Sequence, residues 1–89
     1  MKQRKCEKIM TKYTLVSDKL YRILDYYIDK AKKCKDFLEW YTLIGWYLVE
    51  TSEVVSKSGL DNSAKKQLLI WTNSEISVLY SSYKLYSKD

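Results

Sequence analysis

Histidine and proline are absent from the 89 residues, and glycine and cysteine occur only twice each. Without histidine, proton transfer near neutral pH would need a strongly perturbed carboxylate, lysine, tyrosine or cysteine. Nothing in the sequence singles one out: Asp18, Asp25 and Asp29 fall on related turns of one helix, and Asp18 with Arg22 is an ordinary i,i+4 surface pair. Cys6 and Cys34 form no CxxC pair and leave a zinc ion short of ligands. Two isolated glycines cannot build a phosphate-cradling loop, and no P-loop, dinucleotide fingerprint, HExxH or EF-hand pattern occurs. Only Arg4 and Arg22 are available to gather around an anionic substrate. The expectation is a non-enzymatic protein with no catalytic residue, cofactor or metal.

Long apolar runs are missing as well. The longest apolar stretch, 37–49, is interrupted by Glu39 and falls short of the roughly 20 residues of a membrane span. The charged N-terminal residues 1–8 are followed by mixed polar residues instead of the apolar core of a signal peptide. With two cysteines lying on an apolar stripe, the thiols read as small buried hydrophobes in a reducing compartment, so a cytoplasmic location is expected.

What is present is a globular balance of 46 % hydrophobic and 30 % charged residues, enough for one domain spanning 1–89. Missing proline and scarce glycine favour long helices. Cys6, Ile9, Tyr13, Val16, Leu20, Ile23 and Tyr27, then Cys34, Phe37, Tyr41, Ile44, Leu48 and Val55, recur mainly at steps of three and four, a helical period. The stripe breaks at Lys30 and Thr51, and the polar run 29–36 predicts a turn. The alternative is one helix over about residues 5–57, roughly 75 Å long, with no third segment able to cover it. A second loop at 57–63 is well marked: Gly59 is suited to end a helix in the left-handed conformation, and Asp61, Asn62 and Ser63 are N-cap candidates. The prediction is therefore an all-α, antiparallel three-helix bundle with helices at about 5–31, 35–57 and 62–87. The first two helices run antiparallel, which puts Cys6 and Cys34 near opposite ends and predicts no disulfide between them.

The second helix carries Leu38, Trp40, Tyr41, Leu43, Ile44, Trp46, Tyr47, Leu48 and Val49, apolar in nearly every direction. A bare three-helix monomer can hide only one side of it, so self-association or a bound partner is expected. Nine tyrosines, three tryptophans and one phenylalanine are many for so small a core, and tyrosine and tryptophan are enriched where proteins grip one another. Tyr13, Tyr27 and Tyr41 sit on the stripe and read as core; Tyr21, Tyr26, Trp40, Tyr47 and Tyr80 fit a core less easily. The candidate interface is Trp40, Gly45, Trp46, Tyr47 and Trp71. Gly45 belongs to it because a mid-helix glycine costs about 1 kcal/mol relative to alanine and usually permits a close backbone approach.

A net charge of +5 supplies a competing function. Lys5, Lys8, Lys12, Lys19 and Arg22 share one helical face over about 25 Å, and Lys30, Lys32, Lys33 and Lys35 cluster at the first turn. These nine are the candidate polyanion-binding residues, although lysines flanking an apolar seam also keep a bundle soluble. Base-specific reading is not expected, since side chains suited to base edges are sparse. The leading expectation is a protein interaction module of inhibitor or adaptor type, acting as a homodimer; the alternatives are a nucleic-acid-binding bundle and an immunity-type protein at an anionic membrane surface. In composition the chain resembles the small proteins carried by phages, archaeal viruses and plasmids.

Overall fold

The computed structural model describes residues 2–86, with side chains from residue 12 to residue 85. Four helices follow one another: α1 (Lys2–Lys32), α2 (Phe37–Ser56), α3 (Asn62–Ser74) and α4 (Ile76–Tyr86). They form the expected all-helical bundle of three rods, the third being α3 and α4 in succession. At 1.5 Å per residue α1 is roughly 46 Å long, which explains Cα extents of 58 × 17 × 15 Å. No helix among the described residues is long and apolar enough to cross a membrane.

Each boundary has a local cause. The polar run after α1 does turn, and the last turn tightens through i→i−3 bonds from Lys33 N to Lys30 O and from Cys34 N to Ala31 O, at 3.1 and 3.2 Å. Asp36, in extended conformation, caps α2 by accepting from Glu39 N at 2.8 Å. In the second loop Gly59 takes φ +74, the left-handed region that favours glycine. Two residues on, Asp61 caps α3 by accepting from Ala64 N at 2.8 Å.

The third rod departs from the continuous helix expected over 62–87. It breaks at Glu75, after Thr72, Asn73 and Ser74, residue types whose short polar side chains compete for backbone groups. The carbonyls released by a helix end need partners, and three in the last turn of α3 have them. Trp71 O accepts from Glu75 N at 3.2 Å and from Ser74 Oγ at 2.7 Å. Ser74 O accepts from Ser77 Oγ at 3.0 Å, and Thr72 O accepts from the Tyr47 hydroxyl at 2.8 Å.

Two clusters make the core. One joins Leu24, Tyr27 and Ala31 of α1, Cys34, Trp40, Ile44 and Tyr47 on and before α2, and Leu79 and Tyr83 of α4. The other joins Leu20, Val55, Leu60 and Leu68, and Trp71 packs against both. Tyr27 near Tyr47 and Leu20 near Val55 give the antiparallel course of α1 and α2. Cys34 is free and buried, and Cys6 precedes it by roughly 40 Å along α1, in accord with the absence of a bridge expected between them.

The core side of α2 is not the stripe expected from the sequence. Trp40, Ile44, Tyr47, Thr51 and Val55 point inward, whereas Phe37 and Tyr41 point out. Thr51, which interrupts the expected stripe, is 1 % exposed and donates its hydroxyl to Tyr47 O at 2.8 Å, so the fold buries it without an unpaired donor.

Candidate protein interface

Of the five residues expected to form an interface, Trp40, Tyr47 and Trp71 serve the chain's own packing. Trp40 is 7 % exposed, its Nε1 donates to Leu79 O in α4 at 3.1 Å, and its ring stacks on Tyr83 at 6.1 Å. Tyr47 is fully buried, with its hydroxyl on Thr72 O and its ring edge-on to Tyr27 at 5.5 Å. Both aromatic rings end in a donor that reaches a backbone carbonyl of the third rod, which makes them inward-facing ties. Trp71 is half-buried between the clusters, its ring 4.7 Å from that of Tyr21. Gly45 and Trp46 remain on the surface.

Around these two, large apolar side chains are exposed along the outward side of α2, with Glu39, Glu50 and Glu53 among them. Leu38 is 73 %, Tyr41 65 %, Trp46 65 %, Val49 57 % and Phe37 55 % exposed. The line Leu38, Thr42, Gly45, Val49 and Ser52 advances by four, three, four and three, so it forms a straight seam on the helix. No charged residue stands on it. Sequence reasoning missed Phe37, Leu38, Tyr41 and Val49 because α2 has two apolar arcs of equal period; the uncharged seam through Gly45 was the signal that could have marked the second one.

Gly45 has a new meaning in this setting. A Cβ built there meets nothing within 4 Å, so no other described element of the chain approaches it. Its conformation is ordinary, since among the described residues the only positive-φ glycine is Gly59. The helix accepts the cost of about 1 kcal/mol at a position in the middle of an exposed apolar seam.

Electrostatics separate this face from the basic surface. Helix α2 contains Glu39, Glu50 and Glu53 and no lysine or arginine, so the net charge of the chain comes from other elements. Lys12, Lys19, Arg22, Lys30, Lys32, Lys33 and Lys35 are exposed, interleaved on α1 with exposed Asp18, Asp25 and Asp29; the side chains of Lys5 and Lys8 lie outside the described residues. Lys12 Nζ lies 3.5 Å from Gly59 O, Lys33 pairs with Asp29 at 3.4 Å, and Lys30 sits 5.4 Å from the centre of the Tyr26 ring.

A groove is lined by Val16, Lys19, Glu50, Glu53, Val54 and Lys57. Its Glu53 is held below the usual carboxylate range by a 2.7 Å hydrogen bond from Lys57 and by that lysine's charge. The other clear shifts run upward. Burial, then neighbouring Glu50, pushes the Tyr27 phenol up to about 12, and burial, then the charge of Glu75, does the same at Tyr47. Burial, followed by Glu39 and Asp36, raises the Cys34 thiol. None of these moves a group toward the neutral range that acid–base catalysis needs. Comparison with protein-family models, curated proteins and solved structures finds no match.

Proposed function

We propose that the chain is a non-enzymatic protein interaction module, of inhibitor or adaptor type, that docks another protein on the outward face of α2. The observation that carries this is the set of large apolar side chains, Phe37, Leu38, Tyr41, Trp46 and Val49, that stay exposed along α2 around an uncharged seam through Gly45 and that no described part of the chain covers. Tyrosine, tryptophan and phenylalanine supply large, stiff contact area of the kind found at the centre of protein interfaces. The two other readings have less support. An anionic membrane surface would meet Glu39, Glu50 and Glu53 beside the apolar face. A nucleic acid would have to be held on α1, where aspartates alternate with the basic residues.

Site-specific photo-crosslinking tests the proposal. A benzophenone amino acid at position 46, in the cells where the chain is naturally made, is expected to yield protein adducts, and the same probe at exposed Gln67 is not. Adducts absent from position 46, or equal at both positions, would remove the docking face.

A further inference from the structure

We infer that the end of the rod where α1 stops, α2 starts and α4 stops is a membrane-binding tip, which meets an anionic lipid surface end-on. The inference goes beyond the docking face of α2 and does not depend on it, although Phe37 and Leu38 belong to both.

Topology gathers the groups. Ala31, Cys34, Trp40 and Tyr83 share one core cluster, and the Trp40 and Tyr83 rings lie 6.1 Å apart, so the three helix ends stand side by side. Leu85 at 77 % and Leu38 at 73 % are the two most exposed large apolar side chains among the described residues, and both lie at this end together with exposed Phe37. Lys30, Lys32, Lys33, Lys35 and Lys84, all exposed, surround them. Against these cations stand Asp29, which pairs with Lys33, Asp36, which accepts from Glu39 N, and Glu39 itself, so the end stays positive.

Size and side-chain type select the occupant. The Cα cross-section of the rod is 17 × 15 Å, far less than the about 800 Å² that each side of a stable protein interface hides. A lipid surface needs no matching area, because apolar side chains sink into it while cations hold its phosphates. A single-stranded nucleic acid would stack its bases on rings, whereas the outermost side chains here are leucines.

Depth and orientation agree with lipid. Tyr26 and Tyr80 each lie six residues before the end of their helix, roughly 9 Å back from the tip. Each has a lysine over its ring, Lys30 at 5.4 Å and Lys84 at 6.0 Å. Apolar groups of peripheral proteins enter a bilayer by about 5–10 Å, which leaves these rings at headgroup level, where tyrosine is enriched. Standing on end also keeps Glu50 and Glu53 roughly 20 Å from the lipid, whereas lying on α2 would press them against it.

Flotation of the full chain with vesicles tests this. Binding to phosphatidylcholine vesicles containing one-third phosphatidylglycerol is expected, and binding to phosphatidylcholine alone is expected to be about tenfold weaker. Leu38→Ser with Leu85→Ser, and separately Lys35→Glu with Lys84→Glu, are each expected to weaken binding by about tenfold or more, with circular dichroism unchanged. In a Cys6→Ser, Cys34→Ala background, an environment-sensitive dye on Leu38→Cys or Leu85→Cys is expected to shift to the blue with vesicles, and the same dye on Ser52→Cys is not. Wild type that stays apart from the anionic vesicles overturns the inference, as does a dye at position 52 that shifts as much as one at 38 or 85. Binding that survives loss of both leucines and is matched by a single-stranded oligonucleotide marks a general polyanion site and also overturns it. Photo-adducts at position 46 report on the docking face alone, so either result stands without the other.

Discussion

Tyr47 and Trp40 show how one side chain ties two elements together. Each buries a large ring in the core and turns its polar end toward a carbonyl of the third rod, Thr72 O in one case and Leu79 O in the other. A buried carbonyl deprived of its donor destabilises the fold by about 1–3 kcal/mol, so Tyr47→Phe is expected to lower stability by that amount although it removes one oxygen. Urea unfolding followed by circular dichroism reads this directly. The same phenol makes stability depend on pH. Tyr27 and Tyr47 stay neutral in the folded chain up to about 12, whereas their ordinary value is 10.0. Below pH 10 neither state is ionised and their contribution is fully present. Between about pH 10 and 12 the unfolded chain loses protons that the folded chain keeps, so stability falls as pH rises. The expected result is a steeper decline of the urea midpoint over that window for wild type than for Tyr27→Phe with Tyr47→Phe, and equal slopes would remove the assignment.

At the scale of the element, α2 is a helix with two apolar arcs and α3–α4 a helix with one interruption. The two glycines mark the difference between a helix interior and a loop. Gly45 is helical and open above, so Gly45→Ala is expected to stabilise the monomer by about 1 kcal/mol, or roughly 4–8 °C in melting temperature under dilute conditions. Gly59 holds φ +74, so Gly59→Ala is expected to destabilise by about 1 kcal/mol or more. Paired thermal melts check both signs, and a destabilised Gly45→Ala monomer would show that something in the chain does press on that position. The loops and caps were legible in the sequence because they depend on a few residues acting locally: Gly59 with Asp61, and the polar run before Phe37. The break at Glu75 was not, because Thr72, Asn73 and Ser74 only weaken a helix, and it takes partners such as the Tyr47 hydroxyl to hold the freed carbonyls.

The whole molecule is a narrow rod in which α1 supplies the length and the other helices lie against it. A bundle this thin has two clusters of core and limited stability to spare, so association would add to it by mass action. If the chain self-associates through α2, its melting temperature rises with protein concentration and Tyr41→Lys with Trp46→Lys removes that rise; scanning calorimetry at two concentrations a hundredfold apart decides this. By itself the sequence determined the helical class, the three rods and the turns between them, since missing proline, helical periodicity and cap residues all act over a few neighbours. It also determined that α2 is too apolar to be hidden on one side alone. Which side faces inward was decided only by the tertiary structure. The arc of Trp40, Ile44, Tyr47, Thr51 and Val55 and the seam of Leu38, Gly45 and Val49 have the same period, and periodicity gives the angle between side chains without giving the direction of the core. Trp40 and Tyr47 were drawn inward because their polar ends find carbonyls on the third rod, and Tyr41 and Trp46 were left outside as a consequence.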